Sequence, residues 1–326
     1  MKAVVCKAWG PPELLVIEDR PSLVAEPGKV VMSVKAANVK FSDTLIIQNK
    51  YQTKPELPFI PGSEVSGVLK SIGAGVEGWQ VGDRVSAQTT NGGYVEEAMI
   101  EPDRLLAIPD AMDFASAAGL ASTYGTSYYA LTDRGQLRAG ETLLVLGASG
   151  GVGMAAVEIG KALGARVIAC ASSEEKLGVC RAHGADETIN YVSEDMRARV
   201  KAITKGNGVD VIYDPVGGAY SELALRDMAW GGRFLVIGFA AGDIPSIPLN
   251  LPLIKGCSIV GVWMGAFAKR DRARQRANTL ELWKWFAQGK IKPHVWATYP
   301  LVKAADALNA LAGRKVAGKV VLTTEA

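Results

Sequence analysis

The stretch Leu143-Leu144-Val145-Leu146-Gly147-Ala148-Ser149-Gly150-Gly151-Val152-Gly153-Met154-Ala155-Ala156 decides how this chain reads. Its first four residues are wholly apolar, as expected of a parallel strand buried on both faces. A glycine cluster follows, and then a helical pattern from Met154 to Leu163 that Gly164 closes. Gly151, Gly153 and Ala156 spell G-x-G-x-x-A. In such a loop one glycine permits the tight turn and another lets the backbone approach a pyrophosphate. The small third residue allows close helix–strand packing. The diphosphate then rests on the free N–H groups and positive dipole end of the helix. A lone glycine loop could be purely structural, but strand–loop–helix–strand context points to a dinucleotide.

Working downstream, strands are expected at Arg166–Ala171, 188–190, 209–213 and 233–237, with helices at 174–182 and 220–228. That alternation predicts a doubly wound parallel sheet. An NAD site places Asp or Glu about 20 residues beyond the loop. Here the place reads Ala171-Ser172-Ser173, with Lys176 just beyond. Two hydroxyls and an ammonium suit a 2′-phosphate, which a carboxylate would repel. Lys176 could instead be a solvated lysine, and Glu174 and Glu175 keep NAD open.

Upstream, residues 1–120 read as short β segments (30–34, 66–69, 84–87) separated by Gly and Pro turns, an irregular β domain. After about residue 265 comes a helix carrying Ala273, Ala277, Leu280 and Trp283 at helical spacing, and then short segments expected to pack back onto the first domain. The expected division is therefore 1–120 with 265–326, and 121–264.

Composition narrows the function. Hydrophobic residues make up 48% and charged residues 21%, too apolar for a disordered chain. The formal charge of +3 gives no reason to expect a nucleic-acid or anionic membrane partner. The uncharged stretch 114–132 holds three tyrosines and several hydroxyls, so it does not read as a membrane span, and the N-terminal residues lack the apolar core of a secretory signal. Cys6, Cys170, Cys180 and Cys257 lie far apart, and there are only His183 and His294, which argues against disulfides and metal sites. A reduced, cytoplasmic protein is expected.

Together, several segments resemble the zinc-free quinone oxidoreductase branch of the medium-chain dehydrogenase/reductase superfamily. They are Gly10–Leu14, Pro58–Gly67, Gly82–Val85, Gly150–Gly153, Asp214–Gly218 and Gly318–Val321, in order and at family spacing along the whole chain. The resemblance implies an α/β fold: a GroES-like β domain built from both chain ends, with a Rossmann domain inserted. It implies NADP(H) held by Gly150, Gly151 and Val152 at the pyrophosphate, and by Ser172, Ser173, Lys176 and Tyr191 around the adenosine phosphate. Val216, Gly238, Phe239 and Ala240 would line the ribose and nicotinamide side. Thr126, Tyr129, Trp263, Met264 and Gly265 would stand nearer the nicotinamide, with Arg314 added from the tail. Tyr191 could equally be a core tyrosine, and Trp263 a packing residue.

Zinc-dependent relatives have Cys at the place of Lys40 and His at the place of Ser63. An ammonium and a hydroxyl cannot replace those ligands, and Gln88–Gly93 carries no cysteine where relatives have a structural zinc lobe. No metal is expected. Lys40 also departs from the Asn usual in quinone oxidoreductases, and Leu45 from a tyrosine that several members have. The Lys40 position faces the nicotinamide in that fold, so its ammonium could stabilise a developing oxyanion and supply a proton. Alternatively, Lys40 pairs with Asp43 or Glu64 and holds the loop.

The implied activity is NADPH-dependent, zinc-independent hydride transfer to a small-molecule electron acceptor, a quinone or an α,β-unsaturated carbonyl. The alternatives are an enoyl- or acryloyl-thioester reductase, or a non-catalytic structural or RNA-binding member, for which the basic run Lys269–Arg276 is the candidate surface. The apolar run Cys257–Trp263 is expected to form a sheet edge that pairs with its symmetry mate in a homodimer.

Overall fold

The computed structural model describes residues 1–324, which form two compact units. One is built from Met1–Ser122 together with the chain from His294 onward, the other from Thr123–Pro293.

The first unit is organised around Val30–Val39, a strand buried along most of its length. It pairs antiparallel with Glu64–Ile72, with Glu97–Ile100 along its first half, and with Lys319–Thr323 along its second. Arg84–Gln88, Leu105–Ala107 and Val295–Pro300 complete a seven-stranded sheet, and Lys2–Cys6 and Leu15–Asp19 make a separate two-stranded ribbon. Gly67 lies opposite a break in register at Lys35 of Val30–Val39: a β-carbon on it would lie 2.0 Å from the Ser33 carbonyl oxygen. Only glycine lets the two backbones approach that closely. The core gathers Val4, Met32, Val34, Leu69, Val85, Ile100, Leu105, Leu308 and Leu322.

The second unit carries a six-stranded parallel sheet, in spatial order Glu187–Asn190, Arg166–Ala171, Thr142–Val145, Val209–Asp214, Met228–Val236 and Ser258–Gly261. In chain order this is 3-2-1-4-5-6, the doubly wound arrangement in which ligands bind at the carboxyl ends of the strands where the order reverses. Leu143, Leu144 and Val145 have no exposed surface, which explains their uninterrupted apolar run. The expected α/β fold is therefore present, with Ser258–Gly261 at the sheet edge. No helix among the described residues is long and apolar enough to cross a membrane.

The expected division at residue 265 does not match the compact units, the second of which runs on to Pro293. The helix Arg272–Ala287 belongs there because Leu282, Trp283 and Trp285 are buried, the last with its ring edge-on to Tyr128 at 5.4 Å. Of the four positions expected on its apolar face, only Trp283 is buried.

Candidate functional site

The glycine loop of the second unit is held from the two strands that flank its own. The N–H of Leu146 donates to the Tyr213 carbonyl (3.0 Å), and that of Ala148 to the Cys170 carbonyl (2.9 Å). Gly147 turns the chain in the left-handed region at φ 57°, where a β-carbon would meet Val216 at 2.7 Å. A β-carbon on Gly153 would lie 2.3 Å from the Gly147 carbonyl oxygen, so the helix Gly151–Ala162 can start only on glycine this close to its own loop. Gly150 caps that helix with no side chain, so the N–H groups of the first turn are left to a ligand. The Ser127 hydroxyl braces the loop by donating to the Val152 carbonyl at 2.8 Å.

At the end of Arg166–Ala171, Ser173 caps the helix Glu174–Ala182, its hydroxyl accepting the Lys176 N–H. The Lys176 ammonium donates to Ser172 Oγ at 3.4 Å. Hydroxyl, hydroxyl and ammonium therefore converge on one corner. The competing carboxylate of Glu174 is taken up by Arg181, and Glu175 is exposed. Tyr191 packs against Tyr220 with ring centroids 4.5 Å apart, the hydroxyl of Tyr220 reaching the Tyr191 carbonyl at 3.5 Å.

Asp214 explains its own motif. Buried at the end of Val209–Asp214, it accepts the N–H groups of Val216 (2.8 Å) and Gly217 (2.9 Å) through Oδ1 and the Ser221 hydroxyl (2.5 Å) through Oδ2. Burial raises its pKa, against the pull of those donors. The turn so fixed receives the following loop, with the Ala240 N–H on the Pro215 carbonyl (3.0 Å) and the Gly238 N–H on that of Asp214 (3.3 Å). Val216, Gly238, Phe239 and Ala240 are thus brought together beside the glycine loop. A third wall comes from Gly125–Tyr128 and its continuation, where Tyr129 stacks on Phe267 at 4.0 Å and Met264 lies against Gly125. Thr126 is half-buried on that helix, and Gly265 follows Met264 at the start of Met264–Arg270. Trp263 is 65% exposed, which removes the packing explanation for it. Arg314 lies in the first unit, in the left-handed region at φ 55° after the helix Ala304–Ala312.

Lys40, also in the first unit, precedes the helix Phe41–Ile46, and its ammonium donates to Ser63 Oγ. Neither carboxylate expected to tie it down forms an ion pair with it. Asp43 accepts the Lys40 backbone N–H at 2.9 Å and the Tyr94 hydroxyl at 2.8 Å. Glu64 accepts the N–H of Ser122 at 2.9 Å, the Ser122 hydroxyl and the Asn38 amide. Burial raises the pKa of Asp43, partly offset by the nearby Lys40 charge, and burial beside Asp43 pushes the Tyr94 phenol well up.

Two buried polar centres escaped the sequence. Glu158 accepts Tyr124 Oη–H (2.9 Å) and the Lys292 N–H (3.0 Å) and contacts His183 Nδ1 (2.5 Å). Lys319, 4% exposed, donates to the carbonyls of Ala115, Ser116 and Ala118. Glu158 stands in no local motif, and Lys319, although within Gly318–Val321, gathers partners remote in sequence. In the basic run, Asp271 caps the helix and Arg274 pairs with Asp133 at 2.5 Å, as in a solvated helix start.

A GroES-like β unit interrupted by a doubly wound unit, with this glycine loop at the strand ends, defines a medium-chain dehydrogenase/reductase. Residues 26–126 match the family model of the alcohol dehydrogenase GroES-like domain, and residues 151–282 that of the zinc-binding dehydrogenases. The chain is 39% identical over 328 residues to quinone oxidoreductase-like protein 2 homolog of Nematostella vectensis, covering 99% of this chain and 89% of that one. It is 32% identical to the human quinone oxidoreductase, covering 99% and 97%. The crystal structure of Escherichia coli quinone oxidoreductase complexed with NADPH superposes with a TM-score of 0.90 at 30% identity, covering 99% of this chain and all of that one. The chain belongs to the quinone oxidoreductase branch of that superfamily. The second family's description names zinc; among the described residues no three His, Cys, Asp or Glu side chains are grouped to hold a metal.

Proposed function

We propose that this chain is an NADPH-dependent, zinc-independent oxidoreductase that reduces a conjugated carbonyl acceptor, a quinone or an enone. The observation that carries the reading is the corner formed by Ser172, Ser173 and Lys176, beside which the carboxylate of Glu174 turns to Arg181. Gly150, Gly151 and Val152 hold the diphosphate through backbone N–H groups. Tyr191 lies by the adenosine, and Val216, Gly238, Phe239 and Ala240 by the ribose and nicotinamide. Thr126, Tyr129, Trp263, Met264 and Gly265 border the nicotinamide, and Arg314 is a further contact.

NADPH, when bound, supplies the hydride. Reduction of a conjugated carbonyl develops negative charge on oxygen, and the protein must stabilise it without a metal. Lys40 is suited to this because its ammonium bonds to a neutral hydroxyl, and its charge is not neutralised by an ion pair. Conjugation spreads the charge, so one ammonium suffices where a simple ketone would need a stronger Lewis acid. In the second unit, the edge strand Ser258–Gly261 and the largely exposed Trp230, Leu253 and Ile254 next to it support a two-fold dimer.

The test is a panel of quinones, enones and enoyl thioesters followed by loss of NADPH absorbance, repeated with Lys40→Met. Turnover on the best acceptor should fall roughly ten- to a thousandfold in the variant while NADPH affinity holds. Turnover within about twofold of wild type removes Lys40 from the chemistry.

A further inference from the structure

Five residues of the first unit close into a ring of contacts. The Lys40 backbone N–H donates to Asp43 Oδ2 at 2.9 Å, and the same oxygen accepts the Tyr94 hydroxyl at 2.8 Å. The Tyr94 ring lies against Gly62, where a β-carbon would sit 2.3 Å from Cδ1, and Gly62 itself adopts φ 82°. Gly62 leads directly into Ser63, whose hydroxyl oxygen accepts the Lys40 ammonium. The loop opposite is pinned to the same segment by the N–H groups of Gly92 on Ile60 (2.8 Å), Tyr94 on Pro61 (3.0 Å) and Thr89 on Ser63 (2.9 Å). Asp43, Gly62 and Tyr94 are buried, whereas Lys40 and Ser63 are half-buried. The inner part of the ring is thus rigid, and its two polar ends remain accessible.

A serine hydroxyl has one proton to donate and two lone pairs. Lys40 occupies a lone pair of Ser63, and among the described residues no protein group accepts the hydroxyl proton. An ammonium donating into that oxygen stabilises the alkoxide left when the proton departs, which makes the hydroxyl a better acid. The ring holds that pair in place ahead of reaction, as positioned acids require.

We propose that Ser63 is the direct proton donor to the reduced acceptor, and that Lys40 recharges it. The proposal rests on the function given above. As hydride adds to the conjugated system, an electron pair moves onto the acceptor oxygen. The Ser63 O–H bond breaks and a new O–H bond forms on that oxygen. An Nζ–H bond of Lys40 breaks as its proton passes to Ser63 Oγ, and the neutral amine takes a proton from solvent. One hydride and one proton reach the acceptor, which is reduced by two electrons. Asp43 and Tyr94 are positioning residues in this scheme.

Three variants separate proton donation from mere support of Lys40. Ser63→Thr keeps the hydroxyl. Ser63→Asn keeps an oxygen for the Lys40 ammonium but has no acidic proton. Ser63→Ala keeps neither. With the best acceptor, kcat should fall roughly a hundredfold or more in both Asn and Ala variants and stay within about tenfold of wild type in Ser63→Thr. NADPH binding, read by quenching of tryptophan fluorescence, should be unchanged in all three. If either Ser63→Asn or Ser63→Ala binds NADPH and keeps kcat within about twofold, the hydroxyl gives no proton and the proposal is overturned. If the wild-type protein itself reduces no acceptor in the panel, the fault lies with the proposed function instead.

Discussion

Replacing Lys319 with Met deletes a buried ammonium that donates to the carbonyls of Ala115 (3.2 Å), Ser116 (3.1 Å) and Ala118. Burial pushes its pKa down from 10.5 to about 8, although Glu64 and Asp113 pull the other way. At pH 7 the lysine is charged in both folded and unfolded chains. The variant then loses three carbonyl contacts and leaves the buried Glu64 carboxylate without that nearby cation. Removing one partner of such a buried set costs ~3–5 kcal/mol. The pH dependence has a definite sign. Between pH 8 and 10.5 the folded lysine has released its proton while the unfolded one still holds it, so the unfolded state binds more protons and stability rises with pH. At about 1.4 kcal/mol per pK unit, the gap between 8 and 10.5 adds ~3 kcal/mol to the wild type and nothing to Lys319→Met. Urea unfolding of both proteins at intervals from pH 7 to 10.5 measures the difference directly, cancelling the other titrating groups. Parallel stability curves, or a variant as stable as wild type at pH 7, would refute the reasoning.

Three further outcomes are expected. Lys176→Ala should weaken NADPH by roughly ten- to a hundredfold and leave NADH nearly unchanged, since a charge-assisted contact is worth about 1.5–3 kcal/mol; equal losses in fluorescence titrations with both cofactors sink the 2′-phosphate assignment. Light scattering at micromolar concentration should show a dimer that Ile259→Asp, on the sheet edge, converts to monomer; a monomeric wild type would exclude the two-fold edge. Asp214→Ala should lower NADPH affinity several-fold or more, because the turn carrying Val216 loses three donors' common acceptor; unaltered binding would show that the turn holds itself.

Much of the second unit is legible because its signals are local. Arg166–Ala171 and the helix Glu174–Ala182 lie where apolar runs and caps place them, and the glycine loop announces itself by Gly147, Gly150, Gly151 and Gly153. The first unit is less legible: Val30–Val39 runs five residues past the segment 30–34 read as a strand, because its continuation is stabilised by pairing with Lys319–Thr323, remote in sequence. The second compact unit runs past residue 265 for the same reason, since nothing near that residue signals that Trp285 will meet Tyr128. At the site, the residue types at 172, 173 and 176 point to phosphate chemistry. The Lys40–Ser63 bond does not appear in any spacing, because it depends on a left-handed Gly62 and the Tyr94 ring against it.

The pairing of Val39 with Val320 has a consequence for biosynthesis. A ribosome emits the first unit's central strand well before its partner strand Lys319–Thr323. Everything from Thr123 to Pro293 emerges in between, and that segment contains all six strands of its own sheet. The nucleotide-binding unit can therefore complete its fold on the nascent chain, while the half-built sheet around Val30–Val39 waits with an unpaired apolar edge. During that interval the chain is open to chaperones and to aggregation, until Lys319–Thr323 emerges and pairs.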